Sequence, residues 1–361
     1  MACSLQGHLR DRESDSRVSI QGPEGGKTVD LGQGIHEVFL PLPAKPTIIN
    51  VYLVDLGNGE WALIDTGTAR PPSREAFRSA LDRIGVAPGS LKYLLATHHH
   101  PDHFGASAAL VEDFGTRIYL HPKERETIAW MSEMSGSTMV DHVRRHGIPI
   151  PPEVKEAPKP ANVWADGFRP APQTDHELVD GERLQLGNRE FEVIHTPGHT
   201  AGHCCFLEHH TGALFVGDHL LPKITPHIGV FAGGPQNPLG DFIASQEKIA
   251  ALEGIRFVAP AHGGIYPDHS RRARQLIAHH EHRMREMLDY LQKKPASAYE
   301  VAQHAFKWVF EGDPEEQRFN RGAAVMETIA HLNLLEARQD LRTIERDQVI
   351  YFESRKGIQN S

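Results

Sequence analysis

The sequence predicts an α/β protein in which two central sheets are flanked by helices, and three observations carry that prediction. Apolar runs of strand length recur, among them Trp61-Ala62-Leu63-Ile64, whose lack of alternation implies a strand covered on both faces. Several of these runs end in loops punctuated by Gly or Pro and loaded with His and Asp. The length, 361 residues, suffices for one large domain plus a small one with ample core.

The elements follow in order. Residues 1–30 are charged and polar, without an apolar signal segment, and read as an arm. Strands are expected over residues 36–40 and 48–54, the second turning at Gly57-Asn58-Gly59 into residues 61–64 as a hairpin. Tyr93-Leu94-Leu95-Ala96 is a short buried strand, and a helix is expected from about 104 to 114. Between them, Thr97-His98-His99-His100-Pro101-Asp102-His103 holds four imidazoles and one carboxylate in seven residues.

That loop is the most specific signal in the chain. Neutral imidazole is the commonest nitrogen ligand of zinc, and an aspartate supplies anionic oxygen to a second divalent ion. At the end of a strand, His98 and His100 alternate and can face one metal, while Asp102 and His103 on the following turn face another. Pro101 fixes its own φ and keeps His100 out of helical geometry. His99, between the two, is expected to turn toward the protein. Three further strand-like runs lead into ligand-type residues: 191–194 into His195-Thr196-Pro197-Gly198-His199, 214–216 into Gly217-Asp218-His219, and 257–259 into Pro260-Ala261-His262.

With these residues in this order the chain resembles the metallo-β-lactamase-fold hydrolase superfamily, in particular its glyoxalase II-like and β-lactamase-like-protein-2-like branches, over roughly residues 35–265. The resemblance implies a four-layer αββα fold. Position by position it implies that His98, His100 and His199 bind a first metal and that Asp102, His103 and His262 bind a second. Asp218 bridges the two, and Asp65 in Leu63-Ile64-Asp65-Thr66-Gly67 supports the metal loop from behind.

Such a ligand set would hold two Zn2+ roughly 3.5–4 Å apart, with iron or manganese as alternative occupants, and would make a hydroxide available near neutral pH. Asp102 and Asp218 are the residues expected to bias that nucleophile's position and protonation. His195 and His203 are expected beside the ligands or in the core, and His219 and His227 along the pocket.

The implied activity is hydrolysis of a thioester or related acyl ester, of the acyl-CoA or glutathione class, with Lys223, Arg271, Arg272 or Arg274 available to anionic groups. A lactonase needs the same chemistry. A mononuclear iron persulfide dioxygenase shares the histidine loop, whereas flavodiiron proteins carry a carboxylate where His100 stands.

Residues 31–268 are read as the catalytic domain, carrying an insertion over about 123–177. Its first part, 124–145, is helical in pattern with Met131, Met134 and Met139, and 148–172 is crowded with proline; the whole suits a lid. Residues 269–361 follow as a helical unit. A helix is expected over 269–293, a capping box Ser297-Ala298-Tyr299-Glu300 opens a second, and a third spans 323–336. A hairpin over 341–345 and 349–352, turning at Arg346-Asp347, completes a pattern resembling a winged helix.

Some relatives with that appendage cut single-stranded RNA, so an endoribonuclease is a further alternative. Against nucleic acid stand the net charge of −9 and the absence of Lys or Arg from residues 323–336. The appendage is expected instead as a pocket wall or a subunit contact, the latter giving a homodimer. The three cysteines, Cys3 and the adjacent Cys204-Cys205, suggest no disulfide framework, and no apolar stretch has transmembrane length. A cytoplasmic protein acting on a small-molecule acyl substrate, without membrane contact, is the expectation.

Overall fold

The structure, a computed structural model, describes residues 26–43, 46–151, 153–156, 172–313 and 317–355. Most of the N-terminal arm, and much of the proline-crowded part of the insertion, lie outside the described residues. The first sheet runs in spatial order β1 (Thr28–Asp30), β2 (Ile35–Pro41), β3 (Ile48–Gly57), β4 (Glu60–Ile64), β5 (Leu91–Leu95), β6 (Arg117–Leu120) and β7 (His176–Glu177). It is antiparallel from β1 to β4 and parallel from β4 to β7. The second sheet comprises β8 (Arg183–Leu186), β9 (Arg189–His195), β10 (Cys204–Glu208), β11 (Ala213–Gly217) and β12 (Phe257–Pro260), antiparallel except for β11 with β12.

Strand periodicity explains why the sheets face each other. Along β10, Cys204 and Phe206 point into the core between the sheets with Tyr52, Ile64, Phe191 and Phe215, while Cys205 and Leu207 point to the opposite face. All five β10 residues are buried, as are all five of β11, so neither strand shows a polar face. Helices cover both outer faces. The first sheet packs against α1 (Pro71–Ile84) through Phe77 and Leu81. It also meets α2 (Pro101–Phe104) through Phe104 and α3 (Ser107–Phe114) through Leu110. The insertion contributes α4 (Pro122–Glu133) and α5 (Gly136–Arg145). The second sheet is covered by α6 (Pro238–Ala250) and α7 (His269–Leu291), through Phe242 and Leu276. The result is the αββα arrangement.

Beyond α7 lie β13 (Ala296–Ser297), α8 (Ala298–Ala305), α9 (Lys307–Glu311), α10 (Arg318–Ala337), β14 (Leu341–Arg346) and β15 (Val349–Ser354), with β15 between β13 and β14. The Ser297 hydroxyl accepts from Glu300 N at 3.3 Å and Glu300 Oε2 accepts from Ser297 N at 2.8 Å, a complete capping box. Val325 and Ile329 of α10 share one continuous core with Leu214 and Phe242 of the two-sheet sandwich.

Several local expectations are corrected. Residues 28–30 are not arm but an edge strand on β2. The helix expected over 104–114 is interrupted at Gly105-Ala106, because Ala106 N donates to Gly67 O at 3.2 Å and Thr66 Oγ1 at 3.1 Å. The segment 124–145 breaks at Met134-Ser135, where the Ser135 hydroxyl caps α5. The hairpin turns one residue later than expected, at Asp347-Gln348, both left-handed with φ of 49° and 64°. Helix α10 begins five residues earlier than expected and takes in Arg318 and Arg321. Arg321 donates to the carbonyls of Phe310 and Gly312, both at 2.9 Å, which fastens α10 to α9.

The insertion is tied to the terminal unit at His146, whose carbonyl accepts from Tyr299 N at 3.1 Å. Burial, reinforced by His142, pushes the His146 imidazole down to about 4. In the unfolded chain it titrates near 6.5, so between those values the unfolded state binds more protons. Unfolding free energy measured by denaturant titration should therefore fall as pH drops from about 6.5 toward 4, with no such loss above that window. His146→Gln should make the fall shallower; an unchanged slope in the variant rejects this assignment.

Candidate metal centre

The parallel pairing of β4 with β5 sets the strand end beside the histidine loop. Asp65 leaves β4 with φ of 60°, a conformation unusual outside Gly, and its buried carboxylate collects three donors. Thr97 N donates to Oδ1 at 2.8 Å, and Thr97 Oγ1 and His103 Nδ1 reach Oδ2 at 2.9 and 2.7 Å. Pro101 opens α2 and His100 stays extended at φ −58° and ψ 149°, as its position before proline requires.

His98 and His100 then converge with His199, which arrives on the loop between β9 and β10. His98 Nε2 and His199 Nε2 lie 2.9 and 3.0 Å from His100 Nδ1. These three and Asp218 form one group whose donor atoms all lie within 4.8 Å of one another; Asp102, His103 and His262 form a second. Asp218, at the end of β11, serves both. Its Oδ2 is 3.6 Å from His199 Nε2, and its Oδ1 is 3.5 Å from both His103 Nε2 and His262 Nε2. Asp102 Oδ2 lies 3.4 Å from His262 Nε2 and 3.8 Å from His103 Nε2.

The outer nitrogens fix the ring orientations. His199 Nδ1 donates to His227 O at 2.8 Å, His262 Nδ1 to Ile48 O at 2.9 Å, and His103 Nδ1 to Asp65. Each of those rings thus turns Nε2 inward, the orientation a metal ligand needs. Burial, and secondarily the neighbouring imidazoles, push His98 and His100 well below the ordinary histidine range, so both are neutral donors. Burial opposes ionisation of Asp218, but His103 and His262 outweigh it and hold that carboxyl well below its usual range. His103 Nε2 and Asp218 Oδ1 are buried with no hydrogen-bond partner. A nitrogen–oxygen donor set with orphaned, inward-facing atoms fits divalent cations.

Two glycines let the ligands approach. Gly198 precedes His199 at φ 138°, where a Cβ would stand 2.4 Å from Phe242 Cβ; Gly217 precedes Asp218 at φ 47°, where it would stand 2.6 Å from Thr97 Oγ1.

The remaining histidines separate by their contacts. His99 turns away from the ligands, and its ring and backbone N–H (2.8 Å) meet Glu124 Oε2, while Gly202 N donates to Oε1 at 2.6 Å. Glu124 was not among the expected site residues. It ties the loop after β5 to the loop before β10 from a fully buried position. Burial would raise its pKa, but the contacts with His99 prevail and hold it below the usual carboxylate value.

His195 stacks on His121 and reaches Ala201 O at 3.0 Å, and His203 Nδ1 meets Thr196 Oγ1 at 2.9 Å. His219, expected along the pocket, is fully buried between His203 and Phe242, and burial pushes it down to about 3. His227 differs: its side chain is 34 % exposed, with Nδ1 3.6 Å from Glu327 Oε2. Of the basic residues expected to meet anionic groups, Arg272 is committed internally, donating to Leu221 O at 2.6 Å and Ile224 O at 2.8 Å; Lys223, Arg271 and Arg274 are exposed.

A four-layer αββα sandwich with imidazole and carboxylate clusters at its strand ends defines a metallo-hydrolase. The model of the metallo-beta-lactamase superfamily matches residues 44–262, and the chain belongs to that superfamily. Among solved structures, a metallo-beta-lactamase family protein from Thermus thermophilus is 31% identical with a TM-score of 0.74, covering 90% of this chain and 100% of that one. A beta-lactamase domain protein from Burkholderia ambifaria is 26% identical with a TM-score of 0.78, covering 94% and 98%. The hydroxyacylglutathione hydrolase GloC of Haemophilus influenzae is 34% identical over 147 residues, which span 41% of this chain and 58% of that enzyme.

Removing the Asp65 carboxylate frees His103 to rotate. Asp65→Ala should weaken metal retention by the Asp102, His103 and His262 group about 10–100-fold in a chelator competition, with the fold preserved by circular dichroism. Gly198→Ala should lower the metal content of the His98, His100 and His199 group, since Phe242 cannot yield without moving its backbone. Full metal occupancy in either variant counts against the corresponding role.

Proposed function

We propose that this protein hydrolyses a thioester or related acyl ester of a small molecule, using two divalent cations, with zinc as the favoured ion. The observation that carries the proposal is the placement of Asp218, one carboxylate oxygen facing each ligand group. Bound divalent cations supply activation of water near neutral pH and polarisation of an acyl carbonyl. His98, His100 and His199 would hold one, Asp102, His103 and His262 the other, with Asp218 between them. Histidine rather than a carboxylate at position 100 favours zinc hydrolysis over di-iron oxygen chemistry.

The protein's own groups supply positioning. Asp218 is ionised and 14 % exposed, and Asp102 26 %, so both carboxylates reach the solvent side where substrate would enter and can steer a proton from attacking water. His227, beside His199, offers a ring N–H at the same mouth and is proposed as a donor to substrate oxygen. Ile224 and Phe231, 50 % and 44 % exposed on the segment after Asp218, provide apolar surface for an acyl chain. The resemblance to a hydroxyacylglutathione hydrolase supports the thioester class, and exposed Lys223 suits an anionic leaving group. In the terminal unit, Arg321 is spent on α9 rather than offered to a phosphate backbone, and that supports a pocket wall over a nucleic-acid reader.

Thiol release from a panel of acyl-CoA and glutathione thioesters, by protein of known zinc content, tests the proposal. Wild type should turn over at least one member, and Asp218→Ala should lose activity by a factor of about 10³ or more, consistent with removal of a group acting on both sites. Silence of the fully loaded wild type across the thioester panel, with turnover of a lactone panel, would replace the thioesterase reading with a lactonase.

A further inference from the structure

A third group of ligand-type side chains lies apart from the two catalytic ones. Helix α10 carries Glu327 and His331 four residues apart, so both project from one face, and α7 sets His280 against them. One donor atom from each of the three lies within 4.8 Å of the others. His280 and His331 are fully buried, and the Glu327 side chain is 13 % exposed.

The hydrogen bonds assign the protons. His331 Nδ1 donates to Glu327 O at 2.7 Å, which leaves its Nε2 as a lone pair. His280 Nδ1 stands 3.1 Å from that nitrogen. If the contact is only a hydrogen bond, His280 must keep its proton on Nδ1, and its Nε2 becomes a second lone pair, buried with no donor. Neither ring then gives an N–H to the Glu327 carboxylate. That carboxylate's ion-pair partner is His227 Nδ1, at 3.6 Å, on a ring that is one-third exposed. Burial opposes ionisation of Glu327, but the His227 contact and then the neighbouring imidazoles outweigh it and hold its carboxyl below the usual range, so an anionic oxygen faces the two rings there.

A divalent ion suits this arrangement, because it can take the His331 Nε2 and His280 Nδ1 lone pairs together with a Glu327 oxygen, the His280 proton then residing on Nε2. Tetrahedral zinc with bonds of about 2.0–2.1 Å to imidazole places two ligand nitrogens roughly 3.3 Å apart, close to the observed 3.1 Å. The catalytic imidazoles show the same spacing, 2.9 and 3.0 Å. Two imidazoles and one carboxylate also form a donor set that divalent zinc, cobalt or nickel accept, with one position left open.

We propose that His280, Glu327 and His331 form a third site for a divalent transition-metal ion, with three protein ligands, which clamps α7, packed on the second sheet, to α10. The clamp stands behind the first catalytic group, because His227 contacts Glu327 through its ring and receives His199 Nδ1 on its carbonyl.

The test is metal stoichiometry of the full chain after equilibration with zinc and removal of loosely held ion. Wild type should retain three ions per chain. His331→Gln, and separately Glu327→Gln, which keeps the side chain's shape, should each retain two. A His98→Ala/His103→Ala variant, missing one imidazole from each catalytic group, should keep the clamp ion and still show a zinc-dependent rise in melting temperature. That rise should vanish when Glu327→Gln is added. Saturation of wild type at two ions, with none in the His98→Ala/His103→Ala protein, overturns the proposal. Survival of the extra ion in both Glu327→Gln and His331→Gln overturns it equally, by placing that ion elsewhere.

Discussion

The Asp65 carboxylate is the contact on which the metal loop depends. It sits at the end of β4 in a left-handed conformation that costs of order 1–3 kcal/mol in a non-Gly residue, and it is buried. Three donors from the neighbouring loop offset that cost: Thr97 N, Thr97 Oγ1 and His103 Nδ1. The Thr97 hydroxyl also lies 3.0 Å from His98 Nδ1, so a single carboxylate influences ligands of both groups. This works because β4 and β5 pair in parallel, bringing two strand ends to the same edge of the sheet. A hairpin in their place would have put the carboxylate at the opposite end from the histidines.

Such a loop is useful only if the other ligands meet it, and they come from three separate loops of the second sheet. Their convergence rests on a sandwich that cannot slide. The core between the sheets interleaves Tyr52, Ile64 and Leu95 from one with Phe191, Phe206 and Phe215 from the other, with Tyr52 and Phe215 ring centroids 5.2 Å apart. Direct bonds fasten the site edges as well. Cys204 N donates to Thr97 O at 2.9 Å, and Tyr52 Oη to Pro260 O at 2.8 Å. Glu124 adds a third tie, joining His99 to Gly202. Precision of an ångström or less is what a multi-ligand metal site demands, and close-packed interiors supply it.

How much of this could be read in the sequence follows from which signals are local. The residues now facing one another in the two groups stand in short, dense motifs at strand ends, where spacing and residue type mark them as ligand-type and the superfamily resemblance divides them between two ions. The sheet runs were legible for the same reason, as apolar segments with clear punctuation. Glu124 was not, since a glutamate in the first turn of a helix looks like ordinary dipole compensation, and its partners lie 25 and 78 residues away. The breaks at Gly105-Ala106 and at Met134-Ser135 were also hidden, because the first is imposed by bonds to Thr66 and Gly67. The start of α10 is five residues earlier than expected: no side chain caps it, and the tie from Arg321 to the carbonyls of Phe310 and Gly312 has no local signal. His219 shows the limit most plainly. Its neighbours in sequence place it beside the metals, yet the turn after β11 buries it against Phe242.

The terminal unit is part of the site rather than an ornament on it. His199 owes its ring orientation to the carbonyl of His227. The segment carrying His227 is held from the far side, by Val230 N donating to Met326 O at 3.2 Å and by Glu327 facing the His227 ring. Met326 and Glu327 belong to α10, which is anchored in turn by the core it shares with Leu214 and Phe242. A shift of α10 would therefore be felt first at His227 and then at a metal-facing imidazole, through two contacts and no long lever. The sandwich supplies the ligands, within the superfamily core of residues 44–262, and α10 beyond it fixes one ligand's angle through His227.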